Sequence, residues 1–135
     1  MRLTRLLRLL GACKEGLDWI GDRSTKQVWR ECPRGDWLLY LARQMGVARE
    51  LVEPVYAGIK ERTGNPDAAA GVAALTGTPL AMELLRIAND LRERISEAHF
   101  AELVERKGAD YEHRRKQRVA HQRHGRKVRQ RKAAT

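Results

Sequence analysis

A chain of 135 residues, 42% hydrophobic and 33% charged, is long enough to bury one core without metals or cross-links. Two cysteines and no apolar run of membrane-spanning length argue against a disulfide scaffold or a helical membrane span. Arg5 and Arg8 interrupt the apolar stretch over residues 3–10, which argues against a secretion signal, so a reducing, cytoplasmic protein is expected. The formal charge of +10 is unevenly placed: residues 1–112 hold 17 Lys+Arg against 17 Asp+Glu, while residues 113–135 hold 10 Lys+Arg and no acid.

In chain order, Leu3, Leu6, Leu10, Cys13, Leu17 and Ile20 recur three and four apart and fall on one stripe of an amphipathic helix. Gly11 and Gly16 each cost that helix about 1 kcal/mol against alanine, so it either breaks near Gly11 or uses its glycines for close packing. Ser24-Thr25-Lys26-Gln27 reads as a capping box that opens a short helix over 25–32. Pro33-Arg34-Gly35 ends it. Asp36 is the expected N-cap of the next helix, over 37–45, and Gly46 its C′ residue. All three tryptophans, Trp19, Trp29 and Trp37, and both cysteines, Cys13 and Cys32, lie in this part of the chain, so the core is expected to begin here.

Ala48, Leu51, Val52, Val55 and Ile59 continue at helical spacing, with Pro54 predicting a kink or a fresh start. Asn65-Pro66 reads as N-cap and N1 of a short alanine-rich helix ended by Gly77, and Thr78-Pro79 repeats that signature. From there Leu80, Leu84, Ile87, Leu91, Ile95 and Ala98 predict one long helix over 79–106 that ends near Gly108. Glu83, Arg86, Asp90, Arg92, Glu93, Arg94 and Glu97 take its other face, with pairs such as Glu83 with Arg86 and Asp90 with Arg94. That face is expected to be solvated, a coiled-coil seam being the alternative.

Together these elements predict an all-α fold, a small bundle of five or six helices over residues 1–107. Its core draws on Leu6, Leu10, Cys13, Leu17, Trp19, Ile20, Trp29, Trp37, Leu38, Leu41, Leu51, Val55, Leu84, Ile87 and Leu91. Residues 108–135 form a flexible polybasic tail. With only Val119 and Val128 to bury, it is expected to be disordered, or helical only on a partner.

No catalytic set, metal site or cofactor motif emerges. His99 is the only histidine outside the tail, no Cys-x-x-Cys or His-x-x-x-His pair sets a tetrahedral site, and Gly71 and Gly77 lack the Gly-Lys-Ser/Thr of a phosphate loop. Arg34-Gly35-Asp36 is better read as turn and cap than as an adhesion tripeptide. The tail does carry chemistry: Arg114, Arg115, Lys116, Arg118, Arg123, Arg126, Lys127, Arg129, Arg131 and Lys132 suit phosphates or an acidic partner. No aromatic residue lies in 113–135, so base stacking of the single-strand-binder kind is not indicated.

Gly11-Ala12-Cys13, Gly16-x-x-Trp19, Val28-Trp29-x-x-Cys32 and Arg34-Gly35-Asp36-Trp37-Leu38-Leu39 together resemble the Imm-5-like immunity domain, an α-helical family of bacterial toxin loci and phage genomes. The likeness covers residues 11–46. It implies a non-enzymatic binder that neutralises a toxin or effector protein, with Cys13, Trp19, Trp29, Cys32, Asp36 and Trp37 as a packed structural motif. Two functions are therefore expected to compete. One is a stoichiometric inhibitor of immunity type acting by surface occlusion. The other is a phage or bacterial nucleic-acid-binding accessory protein, or an anti-defence inhibitor of a nucleoprotein complex, acting through the tail on DNA or RNA.

Overall fold

The computed structural model describes the backbone of residues 1–65, 67–73 and 80–134, and their side chains except those of 68, 69, 73 and 124–134. Among the described residues there are eight helices and no strand, so the all-α class holds while the count exceeds five or six. The excess comes from two splits. The first is at Gly11, where α1 (Leu3–Leu9) gives way to α2 (Lys14–Ile20). Gly11 has φ +81°, and the N–H groups of Gly11 and Ala12 donate to the carbonyls of Arg8 and Leu7, closing α1 in a Schellman turn. The turn rotates the apolar stripe: Leu6 and Ile20 are buried, Leu10 and Leu17 are half-buried, and Cys13 is exposed rather than in the core.

α3 (Thr25–Glu31) starts on the expected capping box, with Gln27 N–H donating to Ser24 Oγ at 3.2 Å and Ser24 N–H to Gln27 Oε1 at 2.8 Å. α4 (Gly35–Gln44) ends on Gly46, φ +76°, in the same Schellman pattern as α1. Its start differs from expectation. Asp36 lies inside the first turn and pairs with Arg34, at 2.7 Å and 3.2 Å, instead of capping the helix. The neighbouring guanidinium outcompetes the backbone amides for that carboxylate.

α5 (Arg49–Thr63) runs unbroken through Pro54, so no new helix starts there. Pro54 and Glu50 are exposed, so the carbonyl that the proline leaves without a donor can turn to water. α6 (Ala68–Ala73) is capped by Asp67, whose Oδ1 accepts from Ala70 N–H at 2.9 Å; Asn65 instead accepts from Asp67 N–H. Pro66 and the expected signals at Gly77 and Thr78-Pro79 lie outside the described residues.

The second split falls inside the predicted long helix, giving α7 (Leu80–Arg94) and α8 (Glu97–Ala134). Ser96 is the reason. Its Oγ accepts from His99 N–H at 3.1 Å, so it caps a new helix. Leu84, Ile87, Leu91 and Ile95 are buried as their spacing required, and Ala88 with them, while Leu80 and Ala98 at the ends of the stripe are exposed. Glu83 and Arg92 leave the solvated face to which they were assigned. Glu83 is buried between Arg62 of α5 and Arg86, because α5 packs on α7. Arg92 Nη1 donates to the carbonyls of Trp29 and Cys32, at 3.1 and 2.7 Å. Pro33 has no N–H to give Trp29's carbonyl, so the cation supplies the missing donor. Burial lowers the Arg92 pKa.

The expectation of a basic tail without regular structure is met only in part, because α8 runs on past the packed body. Gly108 is buried against Met1 and does not end the helix, which continues to Ala134. Its first turns, with Phe100, Leu103 and Val104, are fixed on α3, so the costly nucleation step is already met. The arginines, lysines and glutamines that follow are good helix formers and need only propagate it.

The core joins the two halves of the chain. α4 packs on α7 and α3 on α8, with Trp29 stacked on Phe100 at 4.5 Å. Cys32 is buried here; burial raises its thiol pKa above the ordinary 9.0, while Arg34's backbone carbonyl accepts from it. A thiol reagent should label Cys13 in the native protein and reach Cys32 only on unfolding; equal labelling rates would contradict this packing. Because the folded pKa is raised, the thiol's contribution to stability is present below pH 9.0 and is lost as pH rises further, since the unfolded chain gives up that proton first.

Candidate nucleic-acid interface and aromatic cleft

The packed part of α8 closes with Tyr111, half-buried against the core, and Glu112, paired with Arg5 at 3.5 Å. Beyond it every side chain from His113 to Arg123 is exposed. At 1.5 Å per residue the stretch from Glu112 to Ala134 is on the order of 33 Å long. The expected contact residues thus lie on one exposed helical arm: Arg114, Arg115, Lys116, Arg118 and Arg123 are described there. Arg126, Lys127, Arg129, Arg131 and Lys132 continue the same helix, their side chains outside the description.

The arm's electrostatics are one-sided. Arg114 and Arg118 are four apart and Arg115 and Arg118 three apart, like charges facing each other on a helix. No acid follows Glu112 to offset them. A polyanion relieves this repulsion, which makes phosphate contact favourable beyond simple pairing.

The motif residues Cys13, Trp19, Asp36 and Trp37 occupy a different place. They were expected in the core with Trp29 and Cys32, but only the latter two are buried. Trp19 of α2 and Trp37 of α4 meet edge to face, centroids 6.4 Å apart, and line a cleft of about 680 Å³ with Cys13, Leu17, Tyr40 and Tyr56. Each indole carries a guanidinium on its face: Arg23 at 4.3 Å over Trp19 and Arg34 at 4.2 Å over Trp37. Arg34 is held charged by its hydrogen bond to Asp36, with Glu15 at 3.8 Å, and its pKa is raised accordingly. Such cation–π contacts stabilise by about 0.5–1 kcal/mol and fix the rings as walls.

Sequence reasoning placed these tryptophans inside because of their area. The signal that could have placed them correctly is local: Arg23 follows Trp19 by four residues, and Arg34 precedes Trp37 by three. Tyr40, three after Trp37 on α4, shares that face and was missed. Among the described residues no group of three or more His, Cys, Asp or Glu is placed to hold a metal ion, and no helix is long and apolar enough to cross a membrane. In comparisons with known proteins, no protein family, curated protein or solved structure matches this chain.

Proposed function

We propose that this protein is a non-enzymatic nucleic-acid-binding accessory protein in which a helical body holds out a cationic helical arm. The observation that carries the reading is α8: ten cations and no acid in 113–135, on a helix whose described side chains beyond Glu112 are exposed. The test is binding of a labelled nucleic acid by the full chain and by a variant carrying Arg114→Gln, Arg115→Gln, Lys116→Gln and Arg118→Gln. Affinity at low salt should fall by at least about a hundredfold in the variant, since three or four phosphate contacts are lost. An unchanged affinity would rule the arm out.

A second reading is favoured by the cleft. Of the residues that carry the likeness to the Imm-5-like immunity domain, Gly11, Ala12, Cys13, Gly16, Trp19, Cys32, Asp36 and Trp37 are among those that line it, whereas Trp29 is not. An inhibitor of immunity type, neutralising a toxin or effector by occlusion, would use such an aromatic surface as its anchor. The body of residues 1–112 is balanced in charge, which disfavours a strongly basic nuclease as target. An anti-defence inhibitor of a nucleoprotein complex would use both surfaces. The same arm variant separates the readings: one protein retained by it from nuclease-treated lysate supports the inhibitor, whereas loss of all binding with the arm charges supports the nucleic-acid role.

A further inference from the structure

Four of the arm's five described cations fall on two flanks of α8, and their placement names the form of nucleic acid. At about 100° per residue, Arg114 and Arg118 fall on one flank of the helix and Lys116 and Arg123 on the opposite flank, roughly 140–200° away. Within residues 113–123, one of the two faces between these flanks holds His113, Gln117 and His121, four residues apart, and no lysine or arginine, while Arg115 lies on the other. Amide and imidazole groups there can both donate and accept hydrogen bonds. Cations on two flanks with hydrogen-bonding groups between them match a groove with two phosphate rims and base edges on its floor.

We infer that the arm lies in the major groove of duplex DNA, with Arg114 and Arg118 on one phosphate rim, Lys116 and Arg123 on the other, and Gln117 facing the base edges between His113 and His121. This rests on the nucleic-acid reading and sharpens it. A helix about 10–12 Å across fits the major groove of B-form DNA, about 12 Å wide. The major groove of A-form RNA is too deep and narrow to be read in this way. Single strands are disfavoured because the arm has no aromatic platform for bases. The arm's length, on the order of 33 Å, is about one turn of duplex. Gln117 suits adenine, whose N6 and N7 it can engage together.

The test uses the full chain with three labelled probes of equal length: mixed-sequence duplex DNA, duplex RNA and oligo-dT. Dimethyl sulfate footprinting of the duplex DNA complex accompanies it, because the reagent methylates guanine N7 in the major groove and adenine N3 in the minor groove. Tightest binding to duplex DNA is expected, with guanine N7 protected and adenine N3 reacting normally. The double variant Gln117→Ala, His121→Ala should lose roughly tenfold in affinity while keeping the salt dependence, whereas Lys116→Gln, Arg123→Gln should make the salt dependence shallower by about two phosphate contacts. Adenine N3 protection, or equal binding to all three probes without N7 protection, would overturn the major-groove assignment while leaving the nucleic-acid reading intact. No binding to any probe would remove both.

Discussion

Replacing Trp29 by alanine is expected to lower the unfolding free energy by about 3–5 kcal/mol, a large fraction of the stability of a domain this size. Trp29 is 1% exposed, stacks on Phe100 of α8 and donates from its indole N–H to the carbonyl of Ile95 at 2.9 Å. Ile95 directly follows α7, where the break before Ser96 leaves carbonyls without helical donors. In return, Arg92 of α7 serves the carbonyls of Trp29 and Cys32 at the end of α3. Removing the indole thus leaves a cavity and an unpaired carbonyl together. Trp29→Phe keeps most of the apolar area and should cost about 1–3 kcal/mol, mainly for the lost hydrogen bond. Urea denaturation followed by far-UV circular dichroism measures both. A loss of less than about 1 kcal/mol for the alanine variant would contradict this role for the side chain.

Gly35→Ala is expected to be nearly as damaging, by about 3 kcal/mol, although it adds a single methyl group. A Cβ built on Gly35 would overlap the Ile87 side chain, lying 2.6 Å from its Cγ2 and 2.5 Å from the Leu84 carbonyl oxygen. The obstacle includes backbone, so no rotamer change relieves it, and α4 and α7 would have to move apart. The φ of Gly35 is not positive, so close approach of the two helices, rather than backbone conformation, is what demands glycine here. The same denaturation measurement applies; an alanine variant within about 0.5 kcal/mol of the parent would contradict the close contact.

The sequence made legible those features that depend on local chemistry. The Ser24 capping box, the Gly46 helix end and the buried stripe from Leu84 to Ile95 follow from periodicity and from which side chains can satisfy orphan amides. What stayed hidden depends on partners distant in sequence. Glu83 looks solvated on its own helix, and only the arrival of Arg62, 21 residues earlier, allows it to be buried. Arg92 reaches back 63 residues to Trp29. Ser96 was a readable cap, but the apolar stripe running past it favoured a single helix. The tail was judged by its lack of burial, whereas its helix is extended from turns already anchored on α3. Similarly, the tryptophan motif was recognisable as a cluster, but not as the wall of a cleft, because area alone does not distinguish a core ring from one stacked under a surface arginine.

An arm that binds nucleic acid through phosphates must lose affinity steeply with salt. The measurement is fluorescence anisotropy of a labelled DNA duplex titrated with the full chain between about 50 and 200 mM salt. If about six of the arm's cations meet phosphates, log K should fall against log salt with a slope near −5, a loss of about a thousandfold over that range. The variant lacking the charges of Arg114, Arg115, Lys116 and Arg118 should give a slope shallower by about three to four. A slope near zero for the parent chain, or the same slope in the variant, would contradict an arm that binds nucleic acid through its phosphates.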